Sequence, residues 1–249
     1  MFVLLVDSHC HVDWFENPEK IVKNAVNAGV NVILSNATSI ESISKTLALA
    51  KQFPQIKPVI GVHPVDLLSF SDGELDSAFD LVEKNISKAI AIGEVGLDYK
   101  YAKTQEQKDK QERVFRRFIA LAIKYDKPIV VHARYAESKA IDILEELGCT
   151  KVLMHWFTNS KKTSSRALKL GFFVSCGPII ISDVQSAEIA SNFPLGQVLL
   201  ETDSPVEFEG KKSEPSWIPL VCAKFAELKG SSKEEVEQIT EKNYKKLFC

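Results

Sequence analysis

The chain has 249 residues, is 45% hydrophobic and 26% charged, and carries a formal net charge of −2. Those values suit a globular protein with a sizeable core. A nearly neutral balance argues against gripping long duplex nucleic acid by charge alone, and no apolar run exceeds strand length, which leaves nothing to span a membrane.

The opening run FVLLV (2–6) is too short for a signal sequence and lacks a basic leader, so it reads as a first strand. DSHCHVD (7–13) follows it directly. Alternation along a strand sends Asp7, His9 and His11 to one side and Cys10 to the other. Buried imidazoles need partners. Two of them at a strand end are either separately satisfied core histidines or ligands with something to share.

Further strand-length apolar runs follow at NVILSNA (31–37), KPVIGVH (57–63), AIAIGE (89–94) and KPIVVHA (127–133), then KVLMHW (151–156), FFVSCG (172–177) and QVLLETD (197–203). Helix-period stretches lie between them. NPEKIVKNAVNAG opens with Pro18 in its first turn and closes on Gly29. TQEQKDKQERVFRRFIALAIKYD is the longest, and DVQSAEIASNF precedes the last strand. Two more helices, over EPSWIPLVCAKFAELKG and SKEEVEQITEKNYKKLF, end the chain. Eight strands alternating with helices predict parallel pairing through right-handed crossovers, hence an α/β chain folded as a (β/α)8 TIM barrel, with residues 1–249 as a single domain. An open doubly wound sheet would carry a Gly-rich phosphate loop, and no GxGxxG or GxxxxGK[ST] is present. Five cysteines without a CxxC pair suggest reduced thiols in a cytoplasmic protein.

The five histidines (His9, His11, His63, His132 and His155) all fall at or just beyond the C-terminal end of a predicted strand. Glu94 and Asp203 do the same. In a barrel these ends converge on one face, where active sites form. Neutral imidazoles with carboxylates suit a first-row divalent metal. His9, His11, His132 and His155 with Glu94 and Asp203 are too many for one tetrahedral ion, and they fit two ions sharing a carboxylate. Such a pair suits phosphoester hydrolysis. The competing view is a set of polar residues each satisfied separately.

The chain resembles the TatD family of metal-dependent deoxyribonucleases in the amidohydrolase superfamily. The likeness runs through DSHCHVD, GVHP (61–64), GEVGLD (93–98), QERVFRRFIALAIKYDKPIVVHAR (111–134), MHWF (154–157), VSCG (174–177), VLLETDSP (198–205) and NYKKLF (243–248). GE-x-GLD with ETDSP is the specific part; H-x-H is shared with many barrel hydrolases. The resemblance implies that His9, His11 and Asp203 hold one metal together with Glu94, which bridges to a second metal completed by His132 and His155. It implies magnesium-dependent hydrolysis of DNA phosphodiesters at single-stranded or 3′ ends. Asp203 would be the general base and His63 and Arg134 the phosphate contacts. The histidine-rich ligand set itself favours Zn²⁺ or Mn²⁺ over Mg²⁺.

Some positions depart from the family pattern. Tyr135 stands where an aspartate usually follows H-x-R, Trp156 where a smaller residue is common, and Val206–Glu207 where an aromatic and a leucine follow ETDSP. Trp156, Trp14, Phe15 and Tyr101 either stack on bases or pack at the rim, whereas packing is expected for Phe157. Lys161, Lys162 and Arg166 either steer a phosphate chain or form a solvated helix start. Asp98 is expected to brace its loop. DNA is the expected partner, with no membrane and no stable protein partner. The alternative function is metal-dependent hydrolysis of a small amide, lactone or ester.

Overall fold

The computed structural model describes residues 4–157 and 160–249. Strands β1 (Leu5–Cys10), β2 (Val30–Asn36), β3 (Ile56–Ile60), β4 (Ala91–Asp98), β5 (Ile129–Arg134), β6 (Val152–Met154), β7 (Phe173–Cys176) and β8 (Val198–Leu200) pair in chain order, each parallel to the next. Helices α1 (Pro18–Asn27), α2 (Ile40–Gln52), α3 (Asp72–Asn85), α4 (Gln105–Lys124), α5 (Glu137–Glu146) and α6 (Lys161–Lys169) fill the connections up to β7. The β7–β8 connection carries two helices, α7 (Ile179–Ser182) and α8 (Val184–Ser191), and α9 (Ile218–Lys229) and α10 (Lys233–Phe248) end the chain. Just beyond β8 the seam with β1 is closed by Asp203 N–H to the His9 carbonyl (2.9 Å) and His11 N–H to the Ser204 carbonyl (2.8 Å). The architecture is the (β/α)8 barrel.

Caps at the predicted places set the helix starts. The Asn17 side chain accepts the Lys20 N–H ahead of Pro18, and Thr104 with Gln107 forms a capping box at the head of α4. Alternation divides the strands between two cores. Val32, Leu34, Val130, Leu153 and Leu199 fill the barrel interior, plugged from below by Leu247 and Phe248 of α10. Their neighbours Ile33, Val131 and Leu200 face the helices together with Phe115, Phe118 and Phe225.

Several strand boundaries differ from the sequence reading; β3 stops at Ile60 and β4 runs on to Asp98, where 63 and 94 were expected. β1 begins at Leu5 and runs through the first histidine to Cys10, because Asp7 to Cys10 stay buried and paired along β2, with register shifts on the way. β6 and β8 stop at Met154 and Leu200, short of the expected 156 and 203, where the chain turns to build the site. An antiparallel ribbon, β9 (Glu207–Phe208) with β10 (Lys211–Lys212), was not foreseen. Among the described residues no helix is long and apolar enough to cross a membrane.

Candidate metal centre

All five histidines meet at the C-terminal end of the barrel around Glu94, a fully buried carboxylate on β4. Its two oxygens face different partners. Oε2 lies 3.4 Å from His9 Nε2 and 3.5 Å from His11 Nε2. Oε1 lies 2.8 Å from His155 Nε2, 2.9 Å from His132 Nδ1 and 3.5 Å from His63 Nε2. Asp203 Oδ1 completes the first side, 3.4 Å from both His9 Nε2 and His11 Nε2. The ligand atoms of His9, His11 and Asp203 all lie within 4.8 Å of one another, as do those of His9, Glu94 and His155 and those of His63, Glu94 and His132.

Outer contacts fix which nitrogen faces the cluster. His11 Nδ1 donates to the Asn36 carbonyl at 2.8 Å, which directs Nε2 at Glu94 and Asp203. His132 Nε2 donates to Asp98 Oδ2 at 3.0 Å, turning Nδ1 toward Glu94. Carboxylate–histidine pairs of this kind set the tautomer and raise the basicity of a metal-ligating ring. Asp98 is itself anchored. Its Oδ1 accepts the N–H groups of Lys100 and Tyr101 at 2.9 and 3.1 Å, and its N–H donates to Gln111 on α4 at 2.9 Å. Asp98 thus braces its loop as expected, and it also orients His132, which the sequence reading did not anticipate.

His63 differs from the others. Its Nδ1 accepts the Val65 N–H at 3.2 Å, so the neutral ring carries its proton on Nε2. A protonated Nε2 cannot ligate an ion, but it can donate to a phosphate oxygen. Arg134, at the end of β5 and half-buried, lines the same cavity of about 810 Å³.

His9 tests whether this donor set fits a metal. The ring is fully buried, and neither nitrogen has a hydrogen-bond partner. Such an orphan costs roughly 1–3 kcal/mol, and a cation among these nitrogens and carboxylates would answer it. The residues present therefore fit a divalent metal, by nitrogen-rich chemistry suited to Zn²⁺, Mn²⁺ or Co²⁺.

The electrostatics follow from burial and proximity. Burial, then the neighbouring His155, outweighs the carboxylates and pushes His9 down to about 4. Burial also lowers His63 to about 3. At His11 burial opposes the charged ring, yet the hydrogen bond to Asp203 and the charge of Glu94 prevail and raise it to about 9. At His132 burial is likewise overcome by Asp98 and Glu94, again giving about 9. Burial pushes Glu94 up, but His155, His63 and His9 together hold it well below the usual carboxylate range.

The sequence reading quoted the motif containing Glu201 but gave that residue no role. It is fully buried; Oε1 accepts the Trp156 N–H at 2.7 Å, and Oε2 accepts the Ser175 hydroxyl at 2.6 Å and lies 3.9 Å from His155 Nδ1. Burial pushes its carboxyl up to about 8. The signal was an acid interrupting the apolar run of a buried strand. Asp7 was assigned to the His9 side of β1 and carries a second brace: it accepts the Thr202 N–H at 3.0 Å and the Thr202 hydroxyl at 2.5 Å.

Two site residues sit in the left-handed backbone region, Trp156 at φ +43° and Asp203 at φ +48°. This costs on the order of 1–2 kcal/mol per residue, and the Glu201 and His9 contacts hold the two residues there. Phe157 is buried, as packing predicts. Lys161 and Lys162 are exposed at the start of α6, and Arg166 is paired with Asp142 and Glu145 on α5. The bland reading therefore holds for Arg166.

The chain is similar to known proteins over nearly its whole length. The family model described as TatD related DNase matches residues 6–249. The chain is 34% identical to "Deoxyribonuclease TATDN3" from Homo sapiens, over 98% of this chain and 94% of that protein. It is 33% identical to "Uncharacterized metal-dependent hydrolase YabD" from Bacillus subtilis, over 98% of this chain and 99% of that one. Among solved structures, the TatD homologue YJJV from Escherichia coli superposes with a TM-score of 0.90 at 28% identity, covering 100% of this chain and 99% of its own.

Proposed function

Since the chain belongs to the TatD-related DNase family, itself a family of metal-dependent hydrolases, we propose that it hydrolyses phosphodiester bonds of DNA with two divalent ions, acting at single-stranded 3′ ends. The observation that carries this reading is the split of Glu94. One oxygen faces His9 and His11 and the other faces His132 and His155, as a bridging carboxylate requires. In this reading Glu94, His9, His11 and Asp203 would hold one ion, and Glu94, His132 and His155 would hold the other. When bound, the ions supply Lewis acidity and a lowered pKa for water.

The chain's own residues do the rest. Asp203 is the general base: its Oδ1 faces His9 and His11 on the ligand side, which leaves Oδ2 to take the proton of the attacking water. His63 donates from Nε2 to a non-bridging phosphate oxygen, a direction set by the Val65 N–H on its other nitrogen. Arg134 offers a planar fork to the same phosphate. Among the described residues lining the cavity Arg134 is the one permanent cation, which suits the end of a strand better than a duplex.

The test is a time course on end-labelled single-stranded DNA, comparing the wild type with Asp203→Ala in EDTA, Mg²⁺ and Mn²⁺. Stepwise 3′ shortening, absent in EDTA and in the variant, is expected. Intact DNA in every arm, with metal content verified, would overturn the reading in favour of a small ester or amide substrate.

A further inference from the structure

Three aromatic side chains from three different strand-to-helix connections line the cavity: Trp14 after β1, Tyr101 after β4 and Trp156 after β6. Their surroundings differ. The Trp156 ring packs against Phe208 at 5.6 Å, and the Lys100 ammonium lies 5.7 Å from the Tyr101 ring centre. Trp14 lies nearly parallel to the His11 ring, with centroids 4.5 Å apart and planes 17° apart. His11 is locked in turn by its bond to the Asn36 carbonyl. One indole face is therefore covered and its plane is set, yet Trp14 remains 53% exposed at the mouth of the cavity. An aromatic surface held in place before binding loses little freedom when a ligand stacks on it.

Charge narrows the ligand. Arg134 and the histidines answer one phosphate, but Asp66 and Asp183 line the same cavity and disfavour a second. Further affinity for a nucleotide must come from its uncharged part, and every nucleobase offers a π-face.

We propose that Trp14 is a base-stacking platform that takes the nucleobase of the nucleotide whose phosphate lies at the Glu94 cluster. The ligand class is a nucleotide with one phosphate and a purine or pyrimidine base. This rests on the phosphodiesterase reading of the same site. The geometry favours stacking over sequence readout, so the platform tolerates all four bases.

The test uses Mn²⁺-loaded protein and calorimetric binding of two probes, thymidine 5′-monophosphate and deoxyribose 5-phosphate. Wild type should bind the nucleotide about tenfold tighter than the base-free sugar phosphate. W14L keeps bulk over His11 but has no π-face, and should lose that preference while binding the sugar phosphate unchanged. W14F should retain most of it, and metal content should match wild type in both variants. Equal weakening of both probes in W14L would show that Trp14 acts through His11, and would overturn the proposal. So would a wild type that binds the two probes equally. A wild type that hydrolyses no DNA but shows the expected binding pattern would refute the nuclease reading and leave the stacking platform standing.

Discussion

Glu201 Oε1 accepts the backbone N–H of Trp156 at 2.7 Å, across 45 residues of chain. The bond holds the residue after His155 in its left-handed turn, so the final segment of the barrel shapes a histidine supplied by β6. Glu201→Ala leaves the Trp156 N–H and the Ser175 hydroxyl without their acceptor in a buried setting, at about 1–3 kcal/mol for each group. Its melting temperature should fall and its bound metal should drop below that of the wild type. Glu201→Gln keeps an acceptor oxygen and should recover much of both. Thermal melts with elemental analysis check this, and an Ala variant with full metal content would count against the role assigned to Glu201.

Asp98 should matter to metal affinity more than to folding. It keeps His132 Nδ1 pointed at Glu94 through the 3.0 Å bond to Nε2. Loss of such a partner typically weakens metal binding by about 10–100-fold. Asp98→Asn, titrated with Zn²⁺ or Mn²⁺ against a competing chelator, should show a loss in that range. Unchanged affinity would mean that the ring is oriented by packing alone.

Gly96 is required by the strand that carries Glu94. Its φ is +145°, and a Cβ there would lie 2.0 Å from the His132 carbonyl oxygen on the paired strand. Gly96→Ala must push β4 and β5 apart and should cost more than about 3 kcal/mol, at the upper end of single substitutions. Gly148 also has a positive φ, +68°, but a Cβ there meets nothing within 4 Å. Gly148→Ala should cost only about 1 kcal/mol. Denaturant unfolding of the two variants side by side gives the comparison.

Metal removal should destabilise the wild type, because an ion that binds only the folded state adds stability by mass action. EDTA should lower its melting temperature and Mn²⁺ should restore it. His9→Ala removes a ring that belongs to two of the three candidate ligand groups among the described residues, so its melting temperature should respond far less to either reagent. Equal responses in the two proteins would remove His9 from the ligand set.

Arg134→Ala should separate phosphate substrates from neutral ones. Arg134→Ala should cut kcat/KM on single-stranded DNA by at least about tenfold, since a charge-assisted bond contributes roughly 1.5–3 kcal/mol. Hydrolysis of a small neutral ester, where it occurs, should barely change. Steady-state rates on both substrates decide the matter.

Much of this site was legible along the chain. Eight apolar runs broken by capped helical stretches dictate strand and helix in alternation, and that order constrains the topology to a barrel. Histidines at strand ends then have one place to meet, so His9, His11, His63, His132 and His155 could be gathered with Glu94 and Asp203 before any coordinates. Local pattern does not carry pairings that exist only after the barrel closes. Asp98 reaches His132 over 34 residues, Gln111 reaches back to the Pro64 carbonyl over 47, and Asp7 meets Thr202 over 195. Each is a hydrogen bond between buried or partly buried groups, and its partner is set by strand register and by the position of α4, not by spacing in sequence. The same holds for the end of β1. Alternation places the histidines on the correct side, but only pairing along β2 keeps Asp7 to Cys10 in the sheet. Residue types thus determined the chemistry available, and tertiary packing decided which nitrogen of each ring faces the cluster, because a buried imidazole must give its other nitrogen to whatever partner the fold puts beside it.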